Sequence, residues 1–291
     1  MSRFGQTGEA MERAHRGQAA AVGAERVLAH ALRCRLRRTT RQAATALVFG
    51  VAGCSALLLA FTVLPLCRLL PDTREARDAR AQRIIHHGYG LLLGFMSLLG
   101  LTQIRYEGFE RLRTPGAHLV VANHPSLIDF GIVIAQLPQV DCIVAEAWAR
   151  SFWLGRVARA AGYVVNSRGA AAVDECVVRL RAGRTVLLFP EGTRSPQAGL
   201  WPFRRGAAHV ALRSGCDVEL VTIHLDPPVL MKGQPWWDVP DRRVEYFARV
   251  EPPVRVKDRA WEGKSDVLAA RRITAAVRTR MIEGLNRGPV R

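Results

Sequence analysis

Two long stretches without charged side chains stand near the start of the chain. Residues 43–67 form the first, which is long enough to cross the hydrocarbon layer of a membrane as a helix. Residues 84–104 form the second, which is less apolar because it contains His86, His87 and Gln103. We expect both stretches to be helical and membrane-associated, with a buried helix of a globular domain as the alternative for the first.

The remainder of the chain alternates short apolar runs with amphipathic segments. The runs expected to be strands are 118–122, 141–145, 162–166, 185–189, 219–225 and 243–250. The helix-like segments include 172–181 and 207–214, and the apolar spacing over 264–286 predicts a terminal amphipathic helix. This alternation predicts an α/β layered domain, a mixed sheet flanked by helices. The predicted divisions are a basic arm (1–42), two hydrophobic helices (43–104) and the layered domain (105–291).

Composition adds a strong positive charge. Lys and Arg number 42 against 25 acidic residues, a formal net charge of +17, and 49% of the residues are hydrophobic. So much apolar surface excludes a largely disordered chain. The charge favours nucleic acid or an anionic membrane as partner, and the lack of a nucleic-acid-binding motif favours membrane lipids. Six scattered cysteines without a C-x-x-C pair give no support for a zinc site.

The link between the two uncharged stretches bears on topology. Residues 68–83 contain five Arg and three acidic side chains. Two full membrane spans would carry this Arg-rich link across the membrane, against the positive-inside rule. We therefore expect both helices to enter one leaflet of the inner membrane, with the layered domain facing the cytoplasm. A hairpin of two spanning helices is the alternative.

The first candidate for catalysis is the segment 123–129, Asn-His-Pro-Ser-Leu-Ile-Asp, which follows the run 118–122. Pro125 is expected to be the first residue of a helix, with His124 in the turn before it and Asp129 in its early turns. This bent entry lets the carboxylate reach the imidazole, which fixes the ring tautomer and makes a general base. A structural histidine followed by a capping aspartate gives the same spacing and is the alternative.

The second candidate is the segment 189–195, Phe-Pro-Glu-Gly-Thr-Arg-Ser, at the end of a predicted strand. Open α/β sheets bind ligands at such strand ends. Gly192 allows the backbone to turn and expose amides, Glu191 can accept hydrogen bonds from hydroxyls, and Arg194 can hold a phosphate. A plain turn with a surface ion pair is the alternative.

Two further segments place arginines at strand or helix ends. Residues 162–168 form a predicted strand that ends in Arg168. Residues 201–209 form a basic turn, with Arg204 and Arg205, that leads into a helix. Taken singly, each segment is more typical of a solvent-exposed turn than of a ligand site.

Taken together, these segments resemble the glycerolipid acyltransferase family, which includes the 1-acylglycerol-3-phosphate acyltransferases. Segments 123–129, 162–168 and 189–195 resemble its first three sequence blocks, the first being its His-x4-Asp motif, and the resemblance covers roughly 105–255. Two departures are Ser167, where an acid is common, and 218–223, which lacks two usual prolines. The segment 227–237 weakly resembles members associated with aryl-polyene synthesis.

The resemblance implies a glycerol-3-phosphate acyltransferase-like fold and a role in phospholipid biosynthesis. It implies transfer of a fatty acyl group from acyl-CoA or acyl carrier protein to a hydroxyl of lysophosphatidate or a related lipid, with His124 as base and Asp129 as its partner. The substrate-binding residues that it implies are Arg168, Glu191, Gly192, Thr193, Arg194, Arg204 and Arg205. It implies no metal and no cofactor. The alternatives are a hydrolase that uses the same pair, an acyltransferase for a non-glycerophosphate lipid, and a membrane-anchored binding protein.

Overall fold

The computed structural model describes residues 31, 35–166, 169–197, 199–257 and 265–288. Most of the predicted basic arm lies outside these residues. Arg168 and Ser167 also lie outside them, so the predicted phosphate contact of Arg168 is a matter of sequence alone.

Two long helices precede the sheet. Helix α1 spans Arg35–Cys67, with a π-helical stretch at Leu59–Val63, and α2 spans Arg74–Leu98. Within the described residues, α1 is the helix that is long and apolar enough to cross a membrane, and 17% of its most apolar window is buried. Helix α2 begins where the Thr73 hydroxyl accepts a hydrogen bond from the Ala76 amide, which satisfies a donor at the helix start.

The described residues form a seven-stranded mixed sheet in the order β1-β7-β6-β2-β5-β3-β4. Neighbouring strands are parallel except β6 and β7, which are antiparallel. The strands are β1 Thr102–Glu107, β2 Leu119–Ala122, β3 Asp141–Val144, β4 Val164–Val165, β5 Val186–Leu188, β6 Val218–Asp226 and β7 Val244–Val254. The helices of this part are α3 Asp129–Ile134, α4 Glu146–Arg150, α5 Leu154–Ala160, α6 Ala170–Arg181, α7 Gly206–Ser214 and α8 Asp266–Asn286. The predicted α/β class is confirmed.

Helices cover both faces of this sheet. Successive side chains of a strand point to opposite faces, so β2 contributes to two separate cores. Val120 and Ala122 pack in a cluster with apolar residues of α2 and α3. Leu119 and Val121 pack in a second cluster with residues of α6, α7 and α8. The carboxyl ends of the central strands β2 and β5 therefore emerge side by side between two layers of helices.

Three element boundaries differ from the sequence prediction. Residues from Thr102 onward form β1 rather than the end of an apolar helix, because they pair with β7, far away in the chain. The second apolar helix starts at Arg74, inside the charged link. Pro125 is not the first residue of a helix, since α3 begins at Asp129 and 126–128 form a turn. That turn is held by the Asp129 side chain, which accepts a hydrogen bond from the Ser126 amide.

Candidate active site

The side chain of Asn123 explains how β2 presents the residue that follows it. Its Nδ2 donates to the Ile223 carbonyl oxygen at 2.9 Å, and its Oδ1 accepts from the Ile223 amide at 2.7 Å. The side chain thus satisfies the backbone of β6 at the point where the main chain of β2 leaves the sheet. The main chain is then free to turn, and His124 lies at the sheet's carboxyl edge.

His124 and Asp129 form a direct pair. The imidazole Nδ1 and the carboxylate Oδ2 are 3.0 Å apart. The His124 side chain is 20% exposed, whereas that of Asp129 is fully buried. Since an ionised carboxylate only accepts hydrogen bonds, Nδ1 carries the proton and Nε2 can take one from a reactant. The spacing of the predicted base and its partner is therefore matched by a contact, although the helix begins later than predicted.

The environment of Asp129 couples the two groups. Burial raises the pKa of the Asp129 carboxyl above its ordinary value, while the hydrogen bond from His124 opposes that effect. Its Oδ1 is buried without a hydrogen-bond partner among the described residues. A buried carboxylate with few donors gains from a nearby positive charge, so this carboxylate can stabilise a positively charged imidazole at His124.

The ring of His124 is also oriented by Phe189, which directly follows β5. The two rings are stacked, with centroids 4.5 Å apart and an interplanar angle of 29°. The backbones of the two candidate segments are joined as well, because the Ser195 amide donates to the His124 carbonyl oxygen at 2.7 Å. The segments that the sequence singled out separately therefore form one unit.

The structure gives Glu191 a different role from the predicted contact with acceptor hydroxyls. Its carboxylate is buried, and Oε1 accepts from the Ser195 hydroxyl and the His124 amide. Its Oε2 accepts from the Trp201 amide at 2.9 Å. The side chain holds the turn together and does not line the cavity described below. A carboxylate with three internal donors is more favourable here than one that points to a ligand.

Arg194 is likewise engaged within the protein. Its Nη1 donates to the carbonyl oxygens of Leu230 and Met231, at 2.8 and 3.1 Å. The Leu230 carbonyl also accepts from the Leu127 amide at 3.2 Å. Arg194 thus ties its own turn and the segment after His124 to the connection between β6 and β7, a contact that the sequence did not indicate.

Gly192 and Arg204 lie in contact. Gly192 has a φ of +68°, and a Cβ placed there would meet the Arg204 Nε at 2.9 Å. The Arg204 amide donates to the Pro190 carbonyl oxygen at 2.9 Å, which fixes the start of this side chain beside the turn. The Gly192 amide donates to the Phe189 carbonyl, so it closes the turn. Arg205 is exposed and does not line the cavity.

A cavity of about 630 Å³ opens beside these groups. His124, Thr193, Arg194 and Arg204 line it together with the backbone of Gly192. Its other walls are mostly apolar and include Leu127, Phe130, Val144, Trp148 and Val210. An apolar cavity with a few polar groups at one end suits a ligand that has a chain and a charged head group.

Comparison with known proteins shows what this unit is similar to. The Acyltransferase family profile matches residues 103–226, which contain the His124–Asp129 pair and the turn of Glu191. The match covers somewhat less than half of the chain, and over these residues the chain is similar to members of the Acyltransferase family. The matched residues include strands β1 to β6 and both candidate segments, whereas Leu230 and Met231, which Arg194 contacts, lie beyond them.

The curated relatives carry one kind of name. The 1-acyl-sn-glycerol-3-phosphate acyltransferase alpha of Mus musculus is 27% identical over 68% of this chain and 68% of its own length. The chloroplastic 1-acyl-sn-glycerol-3-phosphate acyltransferase LPAT1 of Arabidopsis thaliana is 29% identical over 49% of this chain and 42% of its own. The chain spans 40% to 68% of the length of the first curated relatives that it matches.

A solved structure supports the fold. The 1-acyl-sn-glycerophosphate acyltransferase PlsC of Thermotoga maritima aligns with a TM-score of 0.64 at 22% identity. The alignment covers 89% of this chain and all of that one. The described residues therefore have the predicted glycerol-3-phosphate acyltransferase-like fold, a mixed sheet flanked by helices.

Proposed function

We propose that the protein transfers a fatty acyl group from an acyl thioester to a hydroxyl of lysophosphatidate or a related lipid, as a step of phospholipid biosynthesis. The observation that carries the proposal is the His124–Asp129 pair at the polar end of a mostly apolar cavity, inside the residues that match the Acyltransferase family profile. The names of the relatives favour lysophosphatidate as the acceptor. The donor is acyl-CoA or acyl carrier protein.

The proposed mechanism uses His124 as the general base. Its Nε2 takes the proton of the acceptor hydroxyl while the oxygen attacks the thioester carbonyl carbon. Asp129 stabilises the imidazolium that results. The carbon–sulfur bond then breaks, and the same proton passes from Nε2 to the leaving thiolate. A thiolate leaves readily, so the proposal includes no covalent enzyme intermediate, no metal and no cofactor.

Arginine side chains are proposed to bind the acceptor's phosphate. Arg204 supports this role because it lines the cavity and lies against Gly192. Arg168 and Arg205 are assigned to the same head group from the family resemblance. Arg194 is proposed to contribute its other N–H groups, since Nη1 already donates to the carbonyl oxygens of Leu230 and Met231. Guanidinium groups bind phosphate oxygens in pairs of parallel hydrogen bonds, which suits this task.

The proposed location is the cytoplasmic face of the inner membrane. Helix α1 touches the globular part near both of its ends: Arg41 donates to the Pro240 carbonyl, and Phe61 contacts Phe152. These contacts lie about 30 Å apart along the helix axis. A helix that contacts one domain at both ends supports an arrangement within one leaflet over a full span. We propose that 43–104 is the membrane-associated pair, 1–42 a basic arm and 105–291 the catalytic domain.

The contact of Gly192 with Arg204 can be tested with a matched pair of variants. Gly192→Ala and Gly199→Ala both place a side chain at positive φ, at a cost of about 1–2 kcal/mol in stability. A Cβ at Gly199 would meet nothing within 4 Å, whereas one at Gly192 displaces Arg204. We expect similar losses of melting temperature but a raised KM for lysophosphatidate in Gly192→Ala alone. Equal KM values in the two variants would remove Arg204 from the acceptor site.

An acyl-transfer assay tests the proposed function. Detergent-solubilised protein is incubated with a labelled acyl thioester, as CoA and as carrier-protein conjugate, with and without lysophosphatidate. Label in phosphatidate that depends on the acceptor is the expected result. Label in free fatty acid regardless of acceptor would instead identify a hydrolase, and label in neither product would direct the search to other lipid hydroxyls.

A further inference from the structure

The connection between β6 and β7, residues 227–243, carries two adjacent tryptophans. Their side chains are 40% exposed for Trp236 and 54% exposed for Trp237, and the two rings meet edge to face. Large aromatic rings are costly to leave in water, and a pair of them at the tip of a connection is a feature that the proposed acyl transfer does not require.

The two tryptophans lie beside the start of the apolar part of α1. Trp236 contacts Phe49, with ring centroids 5.8 Å apart. The Trp237 carbonyl oxygen accepts a hydrogen bond from the Gln42 Nε2 at 2.9 Å. Gln42 directly precedes the uncharged stretch 43–67, so the pair lies level with the change from charged to apolar residues along the helix.

This level is where tryptophans concentrate in membrane proteins, because an indole ring has an apolar body and a polar N–H that suit the boundary between head groups and acyl chains. Exposed cations outnumber exposed acids here, since Arg35, Arg37 and Arg38 on the first turns of α1 and Lys232 in the same connection stand against Asp238 and Asp241. These cations complement the negative head groups of an anionic leaflet.

We propose that Trp236 and Trp237 insert into the lipid surface that receives α1, as a second membrane contact of this protein. The inference rests on the membrane location given under the proposed function, and it commits to an anionic lipid leaflet as the partner. It adds a surface outside the two N-terminal helices.

The inner end of the same connection reaches the active site. Leu230, whose φ is +54°, directs its carbonyl to both Arg194 and the Leu127 amide. Left-handed backbone is unfavourable for a leucine and is retained where surrounding contacts hold it. The connection therefore joins the membrane contact at its tip to the two segments that form the catalytic unit, which sets the site at a fixed height above the lipid.

Fluorescence quenching of full-length protein in phosphatidylglycerol–phosphatidylethanolamine vesicles tests this contact. The variant Trp236→Phe/Trp237→Phe retains aromatic rings against Phe49, and subtracting its emission from that of the wild type isolates the two indoles. We expect lipids brominated on their acyl chains to quench about half or more of this difference emission, because interfacial rings reach the acyl boundary. Aqueous iodide should quench little of it.

Trp201→Phe is the matched control, since the Trp201 indole donates to the Arg194 carbonyl within the catalytic loops. Its difference emission is expected to be quenched less by brominated lipid than that of the Trp236–Trp237 pair. Difference emission quenched by iodide, or by neither agent, would overturn the inference, the latter because the rings would then lie against protein. Vesicle flotation separates this outcome from a failure of the proposed location, since a protein that does not float lacks the membrane association itself.

Discussion

His124→Ala is expected to lower kcat/KM for acyl transfer by about 10²–10⁴-fold, the usual contribution of a general base. The variant removes the imidazole whose Nδ1 lies 3.0 Å from the Asp129 Oδ2. It therefore removes Nε2, the nitrogen proposed to take the proton of the acceptor hydroxyl. Transfer from acyl thioester to lysophosphatidate, measured under conditions where the wild type is linear, checks the result.

His118→Ala is the matched control, because His118 precedes β2 at the opposite end of the strand from His124 and should leave turnover unchanged. If His124→Ala keeps more than about a tenth of the wild-type activity, the loss is smaller than a general base contributes, and His124 is not the essential base.

The same variant is expected to show a changed dependence of stability on pH. Burial raises the pKa of Asp129 and the hydrogen bond from His124 opposes this rise, so loss of the imidazole raises the pKa further. A carboxyl whose folded-state pKa is raised prefers to be protonated, and the folded state loses stability as the pH increases through that pKa. Melting temperatures of the variant should therefore fall, relative to the wild type, on going from acidic to neutral pH.

The strands that present the site were predictable from local pattern. The runs that became β2 and β5 are short, apolar and directly followed by the two candidate segments, so their ends could be placed on the sheet before any contact was known. β1 was not predictable in this way. Its partner β7 lies about 140 positions later, and the uncharged residues before Thr102 extend the apolar pattern of the preceding helix into it.

The contacts that organise the site depend on features that a sequence does not display. The turn before α3 is held by the Asp129 side chain on the Ser126 amide, which delays the helix beyond Pro125. The Arg194 side chain donates to the backbone carbonyls of Leu230 and Met231. Every residue has a backbone carbonyl, so the sequence gives no sign of which ones will accept this bond. The family resemblance predicts which residues belong to the site, but not whether each side chain faces the cavity or the protein.

For Glu191, a side chain that faces the protein and one that faces the ligand predict different effects of substitution on stability and on KM. Glu191→Ala leaves the Ser195 hydroxyl and the Trp201 amide without their acceptor, and the His124 amide keeps only its bond to the Ser195 hydroxyl oxygen. Each unsatisfied buried donor costs about 1–3 kcal/mol, so we expect the free energy of unfolding to fall by roughly 3 kcal/mol. Melting in detergent measures this loss, and turnover should fall at every acceptor concentration because the loop that carries His124 loses its support.

The control is Glu110→Ala, which removes an exposed carboxylate and should leave both melting and turnover unchanged. Glu191→Gln keeps one acceptor oxygen but places an amide N–H₂ against the remaining donors, so its melting temperature should lie between those of Glu191→Ala and the wild type. A residue that instead held the acceptor's hydroxyls would show a raised KM with unchanged melting when replaced by alanine. That result would show that Glu191 binds the acceptor. It would also mean that the turn after β5 is held by its backbone and by Arg204 rather than by the buried carboxylate.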